Sequence, residues 1–246
     1  GLDLLLYNFA QVDARERVLM QKKLVDKVDG LIVISLPPSE KEFERLLNLG
    51  IPVSLLGIAS NLCSSVSIDD VQGGRIATQH LVDMGHRDIG IIVGRSEMSF
   101  NFKVATQRKE GFLKVLTDNG IEFNPVNEII ADFDAHTAEL AMDEFLRRKK
   151  LPTAIFCESD EMAFGALKSI RKKGLSVPDD ISIIGYDDHE YSSIMGLTTV
   201  SQPVQFLGQL AASQIMAKIE KPESVSAQMK VPVSLVVRDS VKDLTQ

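Results

Sequence analysis

Two pairs of adjacent aspartates, Asp69-Asp70 and Asp187-Asp188, are the residues whose types and spacing come closest to a catalytic arrangement. Neighbouring carboxylates can share general acid and base work, but they need a nucleophile or a further base beside them. The sequence contains neither a GxSxG elbow nor a P-loop that would supply such chemistry. We therefore interpret these aspartates as strand-end residues that hydrogen-bond a ligand or cap the following turn.

The sequence contains no motif with the spacing of a metal site or a dinucleotide-binding site. The histidines form neither an HExxH motif nor a Cys/His cluster with metal-ligand spacing. They are His80, His86, His136 and His189. The segment GRSEM that follows the predicted strand 89–93 has one glycine, too few for a dinucleotide fingerprint. We predict that the chain is not an enzyme and has no cofactor and no metal.

Polar residues at the ends of predicted strands suit the binding of a small polyol instead. Asp187 follows the apolar run 181–184, and a carboxylate there can accept two hydroxyl hydrogen bonds that its charge strengthens. Arg108 lies at the start of a predicted helix, and its guanidinium offers a planar fork of donors. A solvent-exposed residue of the first helical turn is the alternative interpretation of Arg108.

A strand–helix–strand unit positions these side chains. The apolar run 154–157 predicts a buried strand that stops at Glu158, Ser159 and Asp160, with Asp160 as the candidate N-cap of the next helix. Gly174 suits the left-handed position just after that helix. Because two parallel strands joined by a right-handed crossover end at the same edge of the sheet, their terminal polar residues should face one region.

The whole chain alternates strand and helix, which predicts an α/β fold with doubly wound, mostly parallel sheets. A first series has predicted strands at 4–7, 31–34 and 53–56 and helices at 14–27 and 39–49. A second series begins at Asp69, with helices at 71–84, 106–119 and 136–149 and strands at 89–93 and 128–131. A strand at 197–200, a helix at 204–219 and a strand-like tail at 229–237 close the chain.

Composition restricts the class of protein further. The 246-residue chain is acidic, with a net charge of −7, whereas a segment that binds DNA by itself needs a basic surface. Its basic clusters, 147–150 and 171–173, are predicted in the last turns of helices, where cations complement the helix dipole. Cys63 and Cys157 form no CxxC pair, and no run is long enough to span a bilayer. These features fit a cytoplasmic protein without a disulfide framework.

Several sequence blocks, in order and spacing, resemble the effector-binding core of the LacI/GalR family of bacterial transcription regulators. They are VDGLIV, IPVSLL, SIDDVQGGRIATQHLVDMGHRDIGIIVG, QRKEGF, PTAIFCESDEMAFGAL, GLSVPDDISIIGYDD, LTTVSQP and VPVSLVVRDS. The resemblance implies a periplasmic-binding-protein type I architecture, with a ligand cleft between two doubly wound subdomains. These would comprise 1–68 plus 203–231 and 69–202 plus 232–246, joined by three crossings of the chain.

The resemblance also implies a ligand-binding set. In the family, the matching arginine and aspartate, Arg108 and Asp187, contact the effector. An aromatic residue at the place of Phe133 stacks on the ligand, although Phe133 is also placed to be a hydrophobic staple for the next helix. The other expected ligand-binding residues end predicted strands, and they are Ser159, Gln202, Leu56 and Ser35. Gly57 stands where some sugar-responsive members have an aspartate, which removes one hydroxyl partner.

The function implied is that of a repressor core that binds a small polar effector, a sugar or sugar derivative, and forms a homodimer. The expected dimer interface includes Met162, Tyr191, Ile194 and Met195. Operator DNA would be bound through an upstream helix-turn-helix, which this sequence lacks together with the hinge and the first strand and helix of the family. We therefore expect that Gly1 is not a natural terminus. A periplasmic solute-binding protein of a transport system is the alternative, but MGHRDIGIIVG and VPDDISIIGYDD are more typical of regulators.

Overall fold

The structure is a computed structural model that describes residues 2–7, 26–35, 37–95 and 103–245. These residues fall into two compact units. The first unit contains the described residues up to Ile68 together with Pro203–Val231. The second contains the described residues from Asp69 to Gln202 and those from Pro232 onward.

The described elements largely alternate between strand and helix as the sequence predicts, but strands follow one another directly within 53–68, 182–201 and 228–236, and the strand at 64–68 was not predicted. The elements are β1 (Leu31–Ile34), α1 (Glu40–Leu47), β2 (Val53–Leu56), β3 (Ser64–Ile68), α2 (Asp70–Asp83), β4 (Ile89–Gly94), α3 (Val104–Asp118), β5 (Glu128–Ala131), α4 (Ala135–Phe145), β6 (Ala154–Cys157), α5 (Asp160–Lys172), β7 (Ser182–Asp187), β8 (Thr198–Ser201), α6 (Val204–Glu220), β9 (Gln228–Val231) and β10 (Ser234–Val236). The α/β class with parallel sheets is confirmed.

In the first unit, the described strands form a parallel sheet in the order β1-β2-β3-β9, and α6 packs on it. Val66, Leu207 and Ala211 belong to the apolar core between them. One polar residue of α6 also reaches the sheet, since the Ser54 hydroxyl donates to Gln214 Oε1 at 2.7 Å and Gln214 Nε2 donates to the Ala227 carbonyl at 3.0 Å. This buried amide ties β9 to the centre of the sheet.

In the second unit, the described strands are ordered β10-β8-β7-β6-β4-β5, and β10 alone among them is antiparallel to its neighbour. Side chains of β6 alternate between the two faces, as a strand requires. Ile155 and Cys157 lie in the core formed with α4 and α5, whereas Phe156 stacks on Phe112 of α3 at a centroid distance of 6.4 Å. Because both faces are covered, β6 is entirely apolar and buried.

Glycines end three helices of the second unit, and for Gly174 the sequence predicted this position. Gly85, Gly120 and Gly174 directly follow the C-cap residues of α2, α3 and α5, with φ of 87°, 66° and 80°. A side chain is strained in this left-handed conformation, so glycine is favoured there.

The structure corrects three local predictions. Residues 4–7 form no strand; Leu4 and Leu6 are 90% and 75% exposed, and a strand exists only where a neighbour takes up its backbone hydrogen bonds. The tail 229–237 is two strands in different sheets, because Pro232 has no N–H to continue a ladder. Helix α4 ends at Phe145, so the basic cluster 147–150 follows the helix rather than closing it. The predicted helix 14–27 lies outside the described residues except for its last two positions, which form a turn.

Cys63 and Cys157 are both buried free thiols. Burial raises the pKa of each thiol, so both stay protonated and unreactive at neutral pH. Within the described ranges, no helix is both long enough and apolar enough to cross a membrane.

Candidate functional site

The carboxyl ends of β4, β6 and β7 lie along one edge of the second sheet, and Arg108 reaches this edge from the second turn of α3. Its side chain is buried, with 6% exposed. Nε donates to Asp70 Oδ1 at 2.9 Å, and a terminal nitrogen donates to the Glu158 carbonyl at 2.5 Å. The guanidinium also lies over the Tyr186 ring, 3.6 Å from its centroid. The solvent-exposed interpretation of Arg108 is therefore wrong.

Arg108 stays charged in this buried place. Burial by itself lowers the pKa of a guanidinium, but the charges of Asp187 and Asp70 outweigh it and raise the pKa of Arg108. Asp187 Oδ1 lies 3.6 Å from the terminal nitrogen of Arg108, an ion-pair distance longer than a good hydrogen bond. Arg108 therefore sits between two carboxylates, and the one at the end of β7 is the less tightly held.

Asp187 offers the more accessible acceptor of the site. The structure brings it together with Gln202, whose Nε2 donates to Asp187 Oδ1 at 2.5 Å. About a third of its side chain, 36%, is exposed. Burial of the rest raises the pKa of Asp187 to about 6, against the lowering effect of Arg108. Its φ of 120° is rare for a residue with a side chain, and such strain is characteristic of functional sites.

The four paired aspartates divide into separate hydrogen-bonding roles. Asp69 caps α2 by accepting the Gln72 N–H at 2.9 Å, and Asp70 pairs with Arg108. Asp188 Oδ1 accepts from Arg238 at 2.7 Å. Since each carboxylate has its own cationic or backbone donor, the geometry favours capping and binding over a catalytic dyad.

Phe133 lies against the end of β4. A Cβ placed on Gly94 would come 1.7 Å from the Phe133 ring, so glycine is required for the ring to pack there. Phe133 is half-buried, with a left-handed φ of 59°, and directly precedes Asp134, the N-cap of α4. It also packs on the core that contains Ala138, so the staple interpretation and a surface for a ligand are both compatible with its position.

Ser159, not Asp160, caps α5. The Ser159 hydroxyl accepts the Met162 N–H at 3.2 Å, which corrects the predicted cap by one residue. Ser159 is 5% exposed, so its oxygen is committed largely to the helix. Asp160 instead turns inward and is fully buried.

Asp160 connects α5 to the segment after β7, a role that the sequence did not indicate. It accepts three hydrogen bonds, from the His189 N–H at 2.8 Å and from the Ser192 and Thr199 hydroxyls at 2.6 Å each. Burial raises the pKa of Asp160 against these three donors. Because the donors come from 29 to 39 residues later in the chain, no local pattern could reveal them.

Glu158 is a further residue that the sequence analysis did not select for the site. It is fully buried, and its Oε2 accepts the Gly94 N–H at 3.0 Å. Its Oε1 has no hydrogen-bond partner in the described structure. Burial raises the pKa of Glu158 to about 8. The available signal was a glutamate directly after four apolar strand residues, at a place where a charge is expensive to bury.

Ser35 and Leu56 lie together in the first unit. The Ser35 N–H donates to the Leu56 carbonyl at 2.8 Å where β1 and β2 end, and Ser35 has a left-handed φ of 55°. Gly57 follows with φ of 78°, and a Cβ there would come 3.0 Å from the Ser35 hydroxyl. A residue with a side chain at position 57 would therefore be strained by the left-handed backbone and would require the Ser35 hydroxyl to shift.

The expected dimer residues differ in accessibility. Tyr191 and Ile194 are 54% and 78% exposed, which suits an interface, and Met195 is half-buried against the core of the second unit. Met162 is completely buried in that core and cannot contact a partner. It faces inward because it occupies the first turn of α5 on the side that packs on the sheet, which corrects its predicted place.

None of the described residues form a cluster of histidine, cysteine and acidic side chains that could hold a metal ion. Arg108, Asp70, Asp187 and Gln202 instead form a compact set of donors and acceptors at the strand ends of the second unit. Such a set can orient a small polar molecule but lacks a nucleophile with an adjacent base.

Comparison with known proteins finds a matching domain family and similar transcriptional repressors. Residues 78–241 match the periplasmic binding protein-like domain family. The chain is 34% identical over 224 residues to the probable HTH-type transcriptional repressor ExuR of Bacillus subtilis, covering 89% of this chain and 66% of that protein. It is 32% identical to the HTH-type transcriptional repressor PurR of Photobacterium profundum, covering 99% of this chain and 73% of that protein. The chain thus spans about two thirds to three quarters of these relatives.

Solved structures of regulators are also similar. A complex of the transcriptional regulator CelR with cellobiose matches with a TM-score of 0.81 and 29% identity, covering 94% of this chain and 71% of that one. A LacI family regulator from Enterococcus faecium with bound ribose matches with a TM-score of 0.82 and 28% identity, covering 93% and 86%. The lac repressor dimer bound to operator and the anti-inducer ONPF matches with a TM-score of 0.80 and 28% identity, covering 95% and 80%.

Proposed function

This chain belongs to the LacI family of transcriptional regulators, and from that premise we propose that it is the effector-binding and dimerisation core of a repressor that responds to a small polar ligand, a sugar or sugar derivative. The proposal is supported mainly by the buried Arg108, held between Asp70 and Asp187 at the strand ends of the second unit. An arginine fixed in this way offers the ligand a rigid set of donors, while the partly exposed Asp187 offers an acceptor for hydroxyl groups.

The ligand-binding residues in this proposal are Arg108, Asp187, Gln202, Phe133 and Ser159 of the second unit, with Ser35 and Leu56 of the first. The two units are the two subdomains, joined by three crossings of the chain. Ligand binding would favour one relative orientation of the subdomains, and only a difference in affinity between the two orientations can drive such a change. The cellobiose and ribose complexes of related regulators support a sugar as the ligand.

In this proposal, regulation requires binding to operator DNA, and this chain does not bind that DNA by itself. The net charge of −7 disfavours phosphate contacts, so operator binding is assigned to an upstream helix-turn-helix segment. In this proposal the protein acts as a cytoplasmic homodimer and not as an enzyme, and the names of its relatives, which are transcriptional repressors, support this. These names also disfavour the alternative of a transport receptor.

A ligand screen by thermal shift tests the proposal. A ligand present at 100 times its Kd stabilises the folded protein by about 2.7 kcal/mol, enough for a measurable rise in Tm. We expect at least one neutral sugar, with D-ribose and cellobiose as first probes, to raise the Tm of the wild type. The Asp187→Ala variant should show no such rise, whereas Asp179→Ala, an exposed aspartate paired with Lys242, should respond like the wild type. An unchanged response in Asp187→Ala would contradict the site.

A further inference from the structure

Glu158 is a buried acid that the proposed site does not yet use. It directly follows β6, and none of its surface is exposed. Its Oε2 accepts one hydrogen bond from the Gly94 N–H, while its Oε1 has no partner in the described part of the chain. Buried polar groups in native proteins are nearly always hydrogen-bonded, and an exception calls for a functional reason.

The neighbours of Glu158 place it within the proposed site. Its backbone carbonyl accepts a hydrogen bond from Arg108, the central cation of the site. Gly94, which donates to its carboxyl group, is also the residue on which the Phe133 ring rests. Glu158 therefore links the Arg108 cluster to the aromatic residue proposed to stack on the ligand.

The charges around Glu158 decide which form its carboxyl group takes. Burial raises its pKa to about 8, although the Gly94 N–H, Arg108 and Lys109 lower it, and Glu128 raises it further. At neutral pH the group is therefore mainly a neutral acid. Since Oε2 is the acceptor for Gly94, the proton belongs on Oε1, which makes the unpartnered oxygen a hydrogen-bond donor.

The same cluster indicates the charge of the molecule that could meet this donor. The positive charge of Arg108 is already shared by Asp70, at 2.9 Å, and Asp187, at 3.6 Å. An anionic ligand would be repelled by these two carboxylates, and Arg108, the cation of this set, is already paired with both. An uncharged oxygen, such as a hydroxyl or ring oxygen, can accept from Glu158 without that repulsion.

We propose that Glu158 is a specificity-determining residue of the effector site, whose unpartnered Oε1 hydrogen-bonds to an oxygen atom of an uncharged ligand. This inference rests on the function proposed above and adds a residue and a ligand class to it. In the ligand-free protein, a buried carboxyl group without a hydrogen-bond partner lowers the stability of the fold. A bound ligand supplies the missing partner.

Two variants test the binding role. Glu158→Gln keeps an acceptor for Gly94 and a donor in place of Oε1, whereas Glu158→Met keeps a similar length but removes both polar atoms. The Kd of D-ribose and of cellobiose is measured by calorimetry on the 246-residue chain. For the sugar that binds, we expect Glu158→Gln to stay within about threefold of the wild type and Glu158→Met to lose about tenfold or more. Phosphorylated ribose should bind more weakly than ribose.

The ligand-free proteins provide an independent measurement. Glu158→Met should raise the Tm by roughly 2–4 °C, because it removes an unpartnered buried group. Glu42 is the matched control, a buried glutamate whose carboxylate accepts from the Ser39 N–H at 2.8 Å and the Ser39 hydroxyl at 2.9 Å. Glu42→Met should lower the Tm, because these donors lose their acceptor.

Each outcome decides a separate point. Wild-type sugar affinity in Glu158→Met would overturn the role of Glu158 and leave the proposed function intact. Tighter binding of phosphorylated ribose than of ribose would overturn the uncharged ligand class. If neither D-ribose nor cellobiose bound the wild type, that would count against the sugar-responsive function, and the ligand-free measurement would then decide the inference. A lower Tm in Glu158→Met would overturn it, because Glu158 would then stabilise the fold.

Discussion

At the scale of single residues, Arg108 combines a proposed role in ligand binding with a role in stability. It is buried, it neutralises Asp70, and it covers the face of Tyr186. A substitution at Arg108 therefore leaves a buried carboxylate without its cation, and the loss of effector response cannot be separated from the loss of stability. Asp187 is the better position for testing binding alone, because it is partly exposed.

We expect Arg108→Ala to lower the free energy of unfolding by roughly 3–5 kcal/mol, the usual consequence of removing one partner of a buried ion pair. Arg75→Ala is the control, since Arg75 and Asp118 pair at 3.2 Å with 31% and 50% of their side chains exposed. It should change the free energy by less than about 1 kcal/mol. Urea denaturation of both variants measures this difference, and equal effects would contradict the assigned burial of Arg108.

The buried acid Glu158 makes stability depend on pH in a defined direction. Its pKa is raised from 4.5 to about 8 in the folded protein, so the folded state keeps a proton that the unfolded state has released. Relative to the ionised form, protonated Glu158 makes the folded protein more stable. This contribution to the unfolding free energy is complete below pH 4.5 and is lost as pH rises to about 8. Asp187 titrates near pH 6, so the range from pH 6 to 8 reports mainly on Glu158.

We expect the unfolding free energy of the wild type to fall by a few kcal/mol between pH 6 and pH 8, and that of Glu158→Gln to fall clearly less. The charged groups that act on Glu158 are Arg108, Lys109 and Glu128, and all three are unchanged in the variant. Urea titrations at several pH values measure both curves. Parallel curves would show that Glu158 does not hold its proton in the folded protein.

At the scale of elements, the start of α5 organises the edge of the second sheet. Ser159 caps the helix and Glu158 lies beside Arg108, while Asp160 holds the segment after β7. Gly185 of β7 is part of this arrangement, because a Cβ there would come 2.0 Å from an oxygen of Asp160. Three successive residues thus have three roles: Glu158 belongs to the proposed binding site, Ser159 caps the helix, and Asp160 fixes the following loop.

We expect Asp160→Ala to destabilise the protein by about 3 kcal/mol or more, because three donors from the 189–199 segment lose a buried charged acceptor. Asp179→Ala is the control; Asp179 accepts from Lys242 at 3.0 Å, but 71% of its side chain is exposed, and its loss should have little effect. Urea denaturation compares the two. A mild effect at Asp160 would show that the segment is held by other contacts.

At the scale of the whole molecule, the proposed repressor needs a second copy of itself and a DNA-reading segment. The two-fold symmetry of a dimer matches the paired half-sites that such regulators read. The exposed apolar residues Tyr191 and Ile194 supply a surface of the expected kind, without the buried Met162.

We expect the chain to sediment as a dimer at micromolar concentration, and Ile194→Asp to shift it towards monomer, because a charge would be buried at the interface. Ile130→Asp is the control, since Ile130 is 57% exposed on β5, at the edge of the sheet and outside the proposed interface. Analytical ultracentrifugation measures all three proteins. Identical sedimentation of Ile194→Asp and the wild type as dimers would exclude this surface.

We expect the present chain to show no sequence-specific binding to duplex DNA, and a full-length parent with an upstream helix-turn-helix to bind specifically. Sequence is read by an element placed in the major groove, and phosphate contacts alone give weak binding that falls steeply with salt. A gel-shift comparison of both proteins on DNA flanking the gene measures this. Specific retardation by the present chain would contradict the assignment of DNA reading to an upstream segment.

The sequence by itself determined the features that depend on nearest neighbours along the chain. Apolar runs identified β4, β6 and β7, and Gly174 marked the end of α5, because periodicity and backbone strain are local properties. The order of the sequence blocks was enough for the family, since spacing along the chain is itself a sequence property.

Only the tertiary structure decided which polar groups have partners. Glu158 receives its N–H from Gly94, 64 residues earlier, and Asp160 receives its donors from up to 39 residues later. The sequence therefore assigned a capping role to Asp160 and none to Glu158, and it placed the buried Met162 on the surface. Burial and hydrogen-bond satisfaction depend on contacts between distant segments, so they follow from packing and not from any local pattern.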